Sequence, residues 1–208
     1  YKNYILINCS SFSLIKKKSY KTKKKYILYI DYNIDHVDNI GLGKKVNKRI
    51  KDSHYNKIRE TLQKLSKFYN LEVLVSIHPL YSLSKTRSNL KNYKIYKNRT
   101  IELINNAKII CLFNSTVIHY GYLLNKDIIF LKTNALGNYV SREISNYPNK
   151  SGGVVINIDN YEEIDIKKIN QSLIQSKLIQ KNFNDKYLKP DKNNDPVEKI
   201  ISYINKLQ

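Results

Sequence analysis

Three short stretches of this sequence carry side chains whose types and spacing could do chemistry. The first is Asp31-Tyr32-Asn33-Ile34-Asp35-His36-Val37-Asp38-Asn39, dense in carboxylates and holding one histidine. The second is the dipeptide His78-Pro79. The third is Asn114-Ser115-Thr116, with His119 one helical turn further on. A carboxylate can take a proton from a hydroxyl or hold that hydroxyl in place. An imidazole can give an N–H, or a full positive charge, to a phosphate oxygen. Small hydroxyl residues at the start of a helix stand beside free backbone N–H groups, which favour anions. Brought to one place, such groups make a site for a phosphate-containing ligand.

Each of these residues also has a plainer reading. Ser115 and Thr116 are residue types that cap helices, and most caps bind nothing. Asp and Asn crowd ordinary turns, where their side chains bond to their own backbone. His78 reads equally as a satisfied histidine at a strand end, and His119 as a core or surface residue. His54 reads as an exposed residue at a helix start, Glu102 as the closure of a helix turn, and Lys16–Lys25 as a solvated linker.

The elements that would position these residues are visible in the apolar pattern. Ile109–Phe113 is a continuous apolar run of strand length, as expected for a strand buried on both faces. Val117–Asn125 then reads as a short helix with Asn125 in its C-terminal turn, and Asp127–Leu131 as the next strand. Tyr26–Ile30 is the first clear strand, Leu71–Ile77 the second and Val154–Ile158 the fifth. Pro79 stops the second strand and fixes His78 at its carboxyl end. Tyr55, Ile58, Leu62, Leu65 and Tyr69 recur at helical spacing and predict an amphipathic helix over His54–Tyr69. Thr100–Asn106 predicts a short helix capped by Asn98 or Thr100. Leu80–Arg99 reads as a long, polar, basic connection. Asn134–Tyr147 reads as a loop and short helix ended by Pro148, and Tyr161–Lys186 as helical with breaks. A short apolar run at Tyr4–Ile7 suggests a strand, and Val197–Leu207 a last amphipathic helix. Strands alternating with helices give an α/β fold: a Rossmann-like parallel sheet with helices on both faces. The carboxyl ends of its strands share one edge, where ligands of such folds bind. No GxGxxG follows the first strand, and there is no P-loop.

Composition bounds what such a fold would do. The chain has 208 residues and no methionine, which leads to the expectation that it is a piece of a longer protein. Residues 1–25 read as a linker or the end of a preceding domain, and residues 26–208 as one domain. At 41% apolar and 26% charged, the chain can bury a core and is not a disordered sequence. The formal charge of +20 invites a nucleic-acid reading. Lys, Asn, Ile and Tyr all have A/T-rich codons, however, and the charge is spread out apart from Lys16–Lys18 and Lys21–Lys25. No zinc-finger spacing, aromatic RNA-binding motif or basic heptad array appears. A basic surface also suits a protein that works beside anionic lipid or on phosphorylated substrates. Cys9 and Cys111 make no metal motif, and Cys111 falls inside a core strand, which suits a reducing compartment. No apolar run approaches the length of a membrane span.

In this order, the motifs resemble the donor-binding, C-terminal half of GT-B glycosyltransferases. The likeness is to the bacterial enzymes that build capsule or lipopolysaccharide sugars, the sialyltransferase-like ones above all. In those families a strand-terminal His-Pro and a downstream Ser-Ser or Ser-Thr pair hold the nucleotide phosphate. The resemblance gives that role to His78-Pro79 and Ser115-Thr116, with Asn114 and His119 beside them. The first stretch looks like the family segment in which an acidic strand end leads to His-Pro-Asp. Val37 stands where the family often has Pro, and Phe113 where a His is common. Tyr96–Ile104 looks like the family's helix before the third strand. The likeness runs from about Tyr26 to Leu131. It implies transfer of a sugar from a nucleotide-activated donor, with CMP as one choice, to a growing surface glycan. It implies no metal and no cofactor beyond the donor, a glycan or glycolipid acceptor, and no nucleic acid. The location implied is the cytoplasm, with contact to the anionic inner face of the membrane. Asp31, Asp35 and His36 are the local candidates for the catalytic machinery, although the base of such enzymes commonly lies in their N-terminal domain. Two other readings stay open: a basic α/β domain that binds nucleic acid, and a non-catalytic interaction domain.

Overall fold

The computed structural model describes residues 24–32, 34 and 46–189, with residues 198, 201, 202 and 205 beyond them. Asp35, His36, Val37 and Asp38 lie outside the described residues, as do the run at Tyr4–Ile7 and most of the helix expected over Val197–Leu207.

Six strands form one parallel sheet in the order β3-β2-β1-β4-β5-β6. They are β1 (Ile27–Ile30), β2 (Val73–Ile77), β3 (Lys94–Lys97), β4 (Ile109–Leu112), β5 (Asp127–Lys132) and β6 (Val154–Asn157). β1 lies between β2 and β4, with Ile27 paired to Val73 on one side and Ile109 on the other. Every residue of β1, β2 and β4 is buried, which is why each reads as an apolar run rather than as an alternation. The winding reverses between β1 and β4, and a parallel sheet opens a crevice at such a switch point, beyond the carboxyl ends of the strands.

α1 (Lys48–Tyr69) is held at its start by Asn47, whose side chain accepts from Ile50 N at 2.9 Å, and ends on Asn70 with a left-handed φ of 49°. Tyr55, Ile58, Leu62 and Leu65 form its buried face, as the spacing predicts. The helix begins six residues before the expected His54, because its first turns are polar and periodicity does not register them. His54 is buried at 1% exposure rather than exposed, and packs its ring against Phe113 at 5.3 Å.

The connection expected over Leu80–Arg99 contains α2 (Leu83–Asn89) and β3. β3 is an edge strand with no fully buried residue, so it carries no apolar run, and lysines at both its ends suit a protected edge. α3 (Thr100–Asn106) has Arg99 at its N-cap position and no side-chain cap. Thr100 instead shares a 2.7 Å hydrogen bond with Ser76. Glu102 closes the first turn through an ion pair with Arg99.

α4 (Ile118–Leu123) links β4 to β5. Gly121 lets it sit close to the sheet, since a Cβ there would come within 2.8 Å of Ile110 Cδ1. Its exit uses Asn125 with a left-handed φ of 53°, the expected turn. α5 (Asn138–Ser151) follows a 3₁₀ turn at Asn134–Leu136 and carries Pro148 inside it. The expected stop at Pro148 does not occur: the helix runs one more turn before Gly152 ends it, giving up only the one backbone bond that proline cannot make. A second 3₁₀ turn (Ile158–Glu163), α6 (Ile166–Phe183) and a π turn (Asn184–Leu188) complete the described fold. From these, Lys177 Nζ reaches Asn125 O at 3.0 Å, Gln180 Nε2 reaches Lys126 O at 3.2 Å, and Asn184 Nδ2 reaches Tyr122 O at 2.6 Å. These bonds bring side-chain donors to carbonyls at and just beyond the end of α4, of which Tyr122 O also accepts from Asn125 N at 3.0 Å.

Asp159 ties the end of β6 to β5 and α1. It accepts from Lys57 Nζ at 2.7 Å, Thr133 Oγ1 at 3.0 Å and Asn134 N at 2.7 Å. Burial pushes its carboxyl up, but these bonds and the Lys57 charge outweigh that and hold it below the ordinary range. Asp159→Ala is expected to cost about 2–4 kcal/mol in a urea titration at pH 7, because three donors lose a charged acceptor at once. Wild-type protein should itself lose that contribution as the pH falls through the depressed pKa.

Candidate functional site

The carboxyl ends of β2, β1 and β4 are neighbours along one edge, and they carry His78, Asp31 and the Asn114–Thr116 turn in that order. Asp31 follows β1 directly and is 5% exposed. The Tyr29 hydroxyl donates to its Oδ1 at 3.1 Å, while Oδ2 has no hydrogen-bond partner among the described residues. Burial raises the carboxyl to about 7, against the opposing pull of the Tyr29 bond and the Lys51 charge. Burial likewise pushes the Tyr29 phenol well up.

His78 is exposed at the end of β2, followed by exposed Pro79. Its Nδ1 accepts from Leu80 N at 3.3 Å and its ring lies 5.2 Å from that of Tyr81. That bond assigns the proton of the neutral ring to Nε2. Two strand spacings separate His78 from the end of β4, about 10 Å along the edge.

Ser115 and Thr116 do not cap α4. Val117 occupies the N-cap position with no side-chain cap, and the turn is held by backbone bonds from Ile118 N to Ser115 O at 3.1 Å and from His119 N to Thr116 O at 3.4 Å. Among the described residues, neither hydroxyl is committed to a hydrogen bond. With Asn114 and His119, the two side chains line a cavity of about 320 Å³ between α4, α5 and Phe183. His119 is half-buried, and burial lowers its pKa, which favours the neutral ring. The sheet therefore brings four of the expected residues into one cavity. Asp31 and His78 share its edge but do not line it, and Asp35 and His36 lie outside the described residues.

Residues that the sequence did not single out complete the wall. Tyr147, Lys150 and Ser151 come from α5, Tyr122 from α4 and Phe130 from β5. The Tyr147 hydroxyl donates to Asn114 Oδ1 at 3.1 Å, and Tyr122 shares a 2.5 Å bond with Ser151. These contacts join residues about 30 positions apart, so no local pattern announces them. A second, more open cavity of about 660 Å³ lies at the same edge, where Arg49, Ser53 and Lys57 of α1 face Asn134 after β5. Among the described residues, no group of three or more His, Cys, Asp or Glu side chains could hold a metal ion, and no helix is long and apolar enough to cross a membrane. Cys111 is a free thiol inside the core, pushed far up by burial.

No protein-family model matches the sequence, and no curated protein matches it. In fold the chain is similar to the wall teichoic acid polymerase TagF. One TagF structure aligns with a TM-score of 0.51 at 18% identity, over 95% of this chain and 46% of that one. Another aligns at 0.50 and 16%, over 95% and 45%. The UDP-GlcNAc 2-epimerase of Methanocaldococcus jannaschii, in complex with UDP-GlcNAc and UDP, aligns at 0.46 and 19%, over 80% of this chain and 42% of that one. The chain thus spans less than half the length of these proteins. The fold is α/β and Rossmann-like, as in the part of TagF with which it aligns.

Proposed function

We propose that residues 26–208 form the nucleotide-sugar-binding half of a GT-B glycosyltransferase, which passes a sugar to a growing surface glycan. The observation that carries this reading is the turn after β4: Ser115 and Thr116 hold hydroxyls that no cap occupies, and they face a cavity at the switch-point edge. Hydroxyls and backbone N–H groups placed there stabilise a leaving phosphate as its charge develops, without a metal. Asn114 and His119 add polar atoms to the same wall. His78 donates from Nε2 to the far side of the phosphate, and Pro79 fixes the backbone behind it. Asp31, with a pKa of about 7, is suited to take the acceptor proton near neutral pH. The resemblance supports adding Asp35 and His36 to that machinery. It also supports a CMP-linked donor and a glycan or glycolipid acceptor. The likeness in fold to a wall teichoic acid polymerase supports a polymer of the cell surface as product, and the charge of +20 supports contact with an anionic membrane.

Calorimetry with CMP, UDP, GDP and their sugars tests the reading. One nucleotide is expected to bind, and His78→Ala is expected to weaken it by about 1.5–3 kcal/mol, the worth of a charge-assisted hydrogen bond, with no change in melting temperature. Absence of nucleotide binding in the folded wild-type chain would overturn the proposal.

A further inference from the structure

We infer that a groove along α1 holds the stem of the acceptor, a chain of uncharged sugars whose growing end lies at the carboxyl edge of the sheet. The inference rests on the transferase reading above and adds where the acceptor lies and which kind of chain it is.

The cavity of about 660 Å³ at the carboxyl edge does not stop there. A neighbouring cavity of about 930 Å³ shares Arg49, Ser53 and Lys57 with it, and runs on along α1 to Glu60 and to Tyr161 of the 3₁₀ turn after β6. From Arg49 to Glu60 the helix advances about 16 Å, so the two cavities form one elongated groove. Its upper end belongs to the edge that carries Asp31. Lys51, in the same turn of α1 as Arg49, lies near enough for its charge to act on the Asp31 carboxyl. A chain held in the groove therefore ends on the side of the proposed base.

The charge of the groove differs from that of the whole chain. Lys48, Arg49 and Lys57 meet Asp52, Glu60 and Asp159, three cations and three carboxylates, in a chain with a net charge of +20. A track for a polyanion would be basic throughout; a balanced one suits an uncharged ligand. The polar groups are also open. Helical spacing allows Arg49 to pair with Asp52, and Glu60 with Lys64, yet neither pair forms. Lys64 Nζ goes instead to Tyr161 O at 2.6 Å and Glu162 O at 3.1 Å, and Lys57 to Asp159. Among the described residues, the side chains of Arg49, Asp52, Ser53 and Glu60 make no hydrogen bond or ion pair. Asn56 Oδ1 accepts from Arg59, which leaves the amide Nδ2.

Donors and acceptors thus stand side by side on one face of α1. A sugar hydroxyl is donor and acceptor at once and matches such a mixed set, whereas an ionised phosphate oxygen only accepts. Tyr161 adds the apolar contact. Its ring is half-buried, its hydroxyl donates to Glu162 Oε1 at 3.2 Å, and Lys64 Nζ lies 5.6 Å from the ring centroid. A tyrosine fixed in this way presents an apolar body beside polar groups, the surface on which the C–H face of a sugar ring packs.

An array of bacterial surface oligosaccharides of graded length, neutral and acidic, tests this on the whole chain without nucleotide. The longer neutral chains are expected to bind ten-fold or more tighter than their monosaccharides. Ser53→Trp, at an exposed position in the part that both cavities share, should weaken that binding at least ten-fold. Tyr161→Ala, which removes the ring without adding bulk, should weaken it too and serves if the tryptophan disturbs the fold. Affinity that survives both changes would overturn the inference. So would binding that does not depend on chain length, or binding confined to polyanionic chains. Nucleotide calorimetry on the same protein keeps the two readings apart. If nucleotide binds and no glycan does, the groove inference falls and the donor-binding reading stands. If glycan binds and no nucleotide does, the reverse holds, and if neither binds, both fall.

Discussion

Asp31→Asn is expected to raise the melting temperature at pH 8 and leave it unchanged at pH 4. The carboxyl titrates near 3.8 in the unfolded chain and near 7 in the folded one, because burial disfavours its charge. Between those values the folded protein holds a proton that the unfolded chain has released. The stability linked to that proton is fully present below about pH 4, and is lost as the pH rises through about 7. At about 1.4 kcal/mol per pH unit, the whole effect is on the order of 4 kcal/mol. For a chain of this size that corresponds to a melting temperature shift on the order of 10 °C. Asparagine has no proton to lose and keeps Oδ1 as an acceptor for the Tyr29 hydroxyl, so the variant should hold its low-pH stability throughout. Scanning calorimetry from pH 4 to 8 measures this directly. On the proposed reading, the same change in a chain that carries the transferase activity should cut turnover by about 10²–10⁴-fold, since an amide cannot take the acceptor proton. Gain of stability with loss of turnover marks a buried base held at a cost to the fold. Gain of stability with turnover intact would leave Asp31 a buried carboxyl without a catalytic part.

The central strands were legible because each is buried on both faces, and a run such as Ile109–Leu112 admits little else. The strand that escaped notice is β3, whose Lys94, Ile95, Tyr96 and Lys97 lie at an edge where burial does not select apolar side chains. α1 was readable only where its apolar stripe begins. Its true start depends on the Asn47 side chain, one residue among several polar ones. His54 shows the limit of residue type as a guide: a histidine near a helix start looks exposed, yet the end of β4 brings Phe113 against it. Pro148 shows another limit. It ends a helix in isolation, but tertiary contacts of Tyr147 and Ser151 hold the last turn of α5 in place.

The placement of the candidate residues along one edge followed from strand polarity alone. A parallel strand delivers its next residue to the carboxyl edge, so Asp31, His78 and Asn114 had to lie along that edge once the sheet was correct. The lining of the cavity did not follow, because its other walls come from α5, β5 and the end of α6, far along the chain. That Ser115 and Thr116 leave α4 uncapped was not legible either. Sequence places them before a helix in either case, and only the N-cap geometry at Val117 separates a cap from an uncommitted hydroxyl.

That distinction sets up the most direct test of the turn. If Ser115 and Thr116 capped α4, replacing both by alanine would cost about 1 kcal/mol or more in stability, the usual worth of a cap. Neither caps it, and the turn is closed by backbone bonds that alanine keeps. The double variant is therefore expected to melt within about 0.5 kcal/mol of wild type, as for substitutions away from structural features. Donor binding should respond very differently. Each hydroxyl facing a phosphate is worth about 1.5–3 kcal/mol, so losing both should weaken the nucleotide sugar by a hundred-fold or more. Isothermal titration of wild type, each single variant and the pair gives the coupling as well as the sum, and two hydroxyls on one phosphate should prove non-additive. Stability lost with affinity unchanged would return the two residues to a structural role. Affinity lost with stability unchanged would fix the phosphate at the turn after β4, across the edge from Asp31.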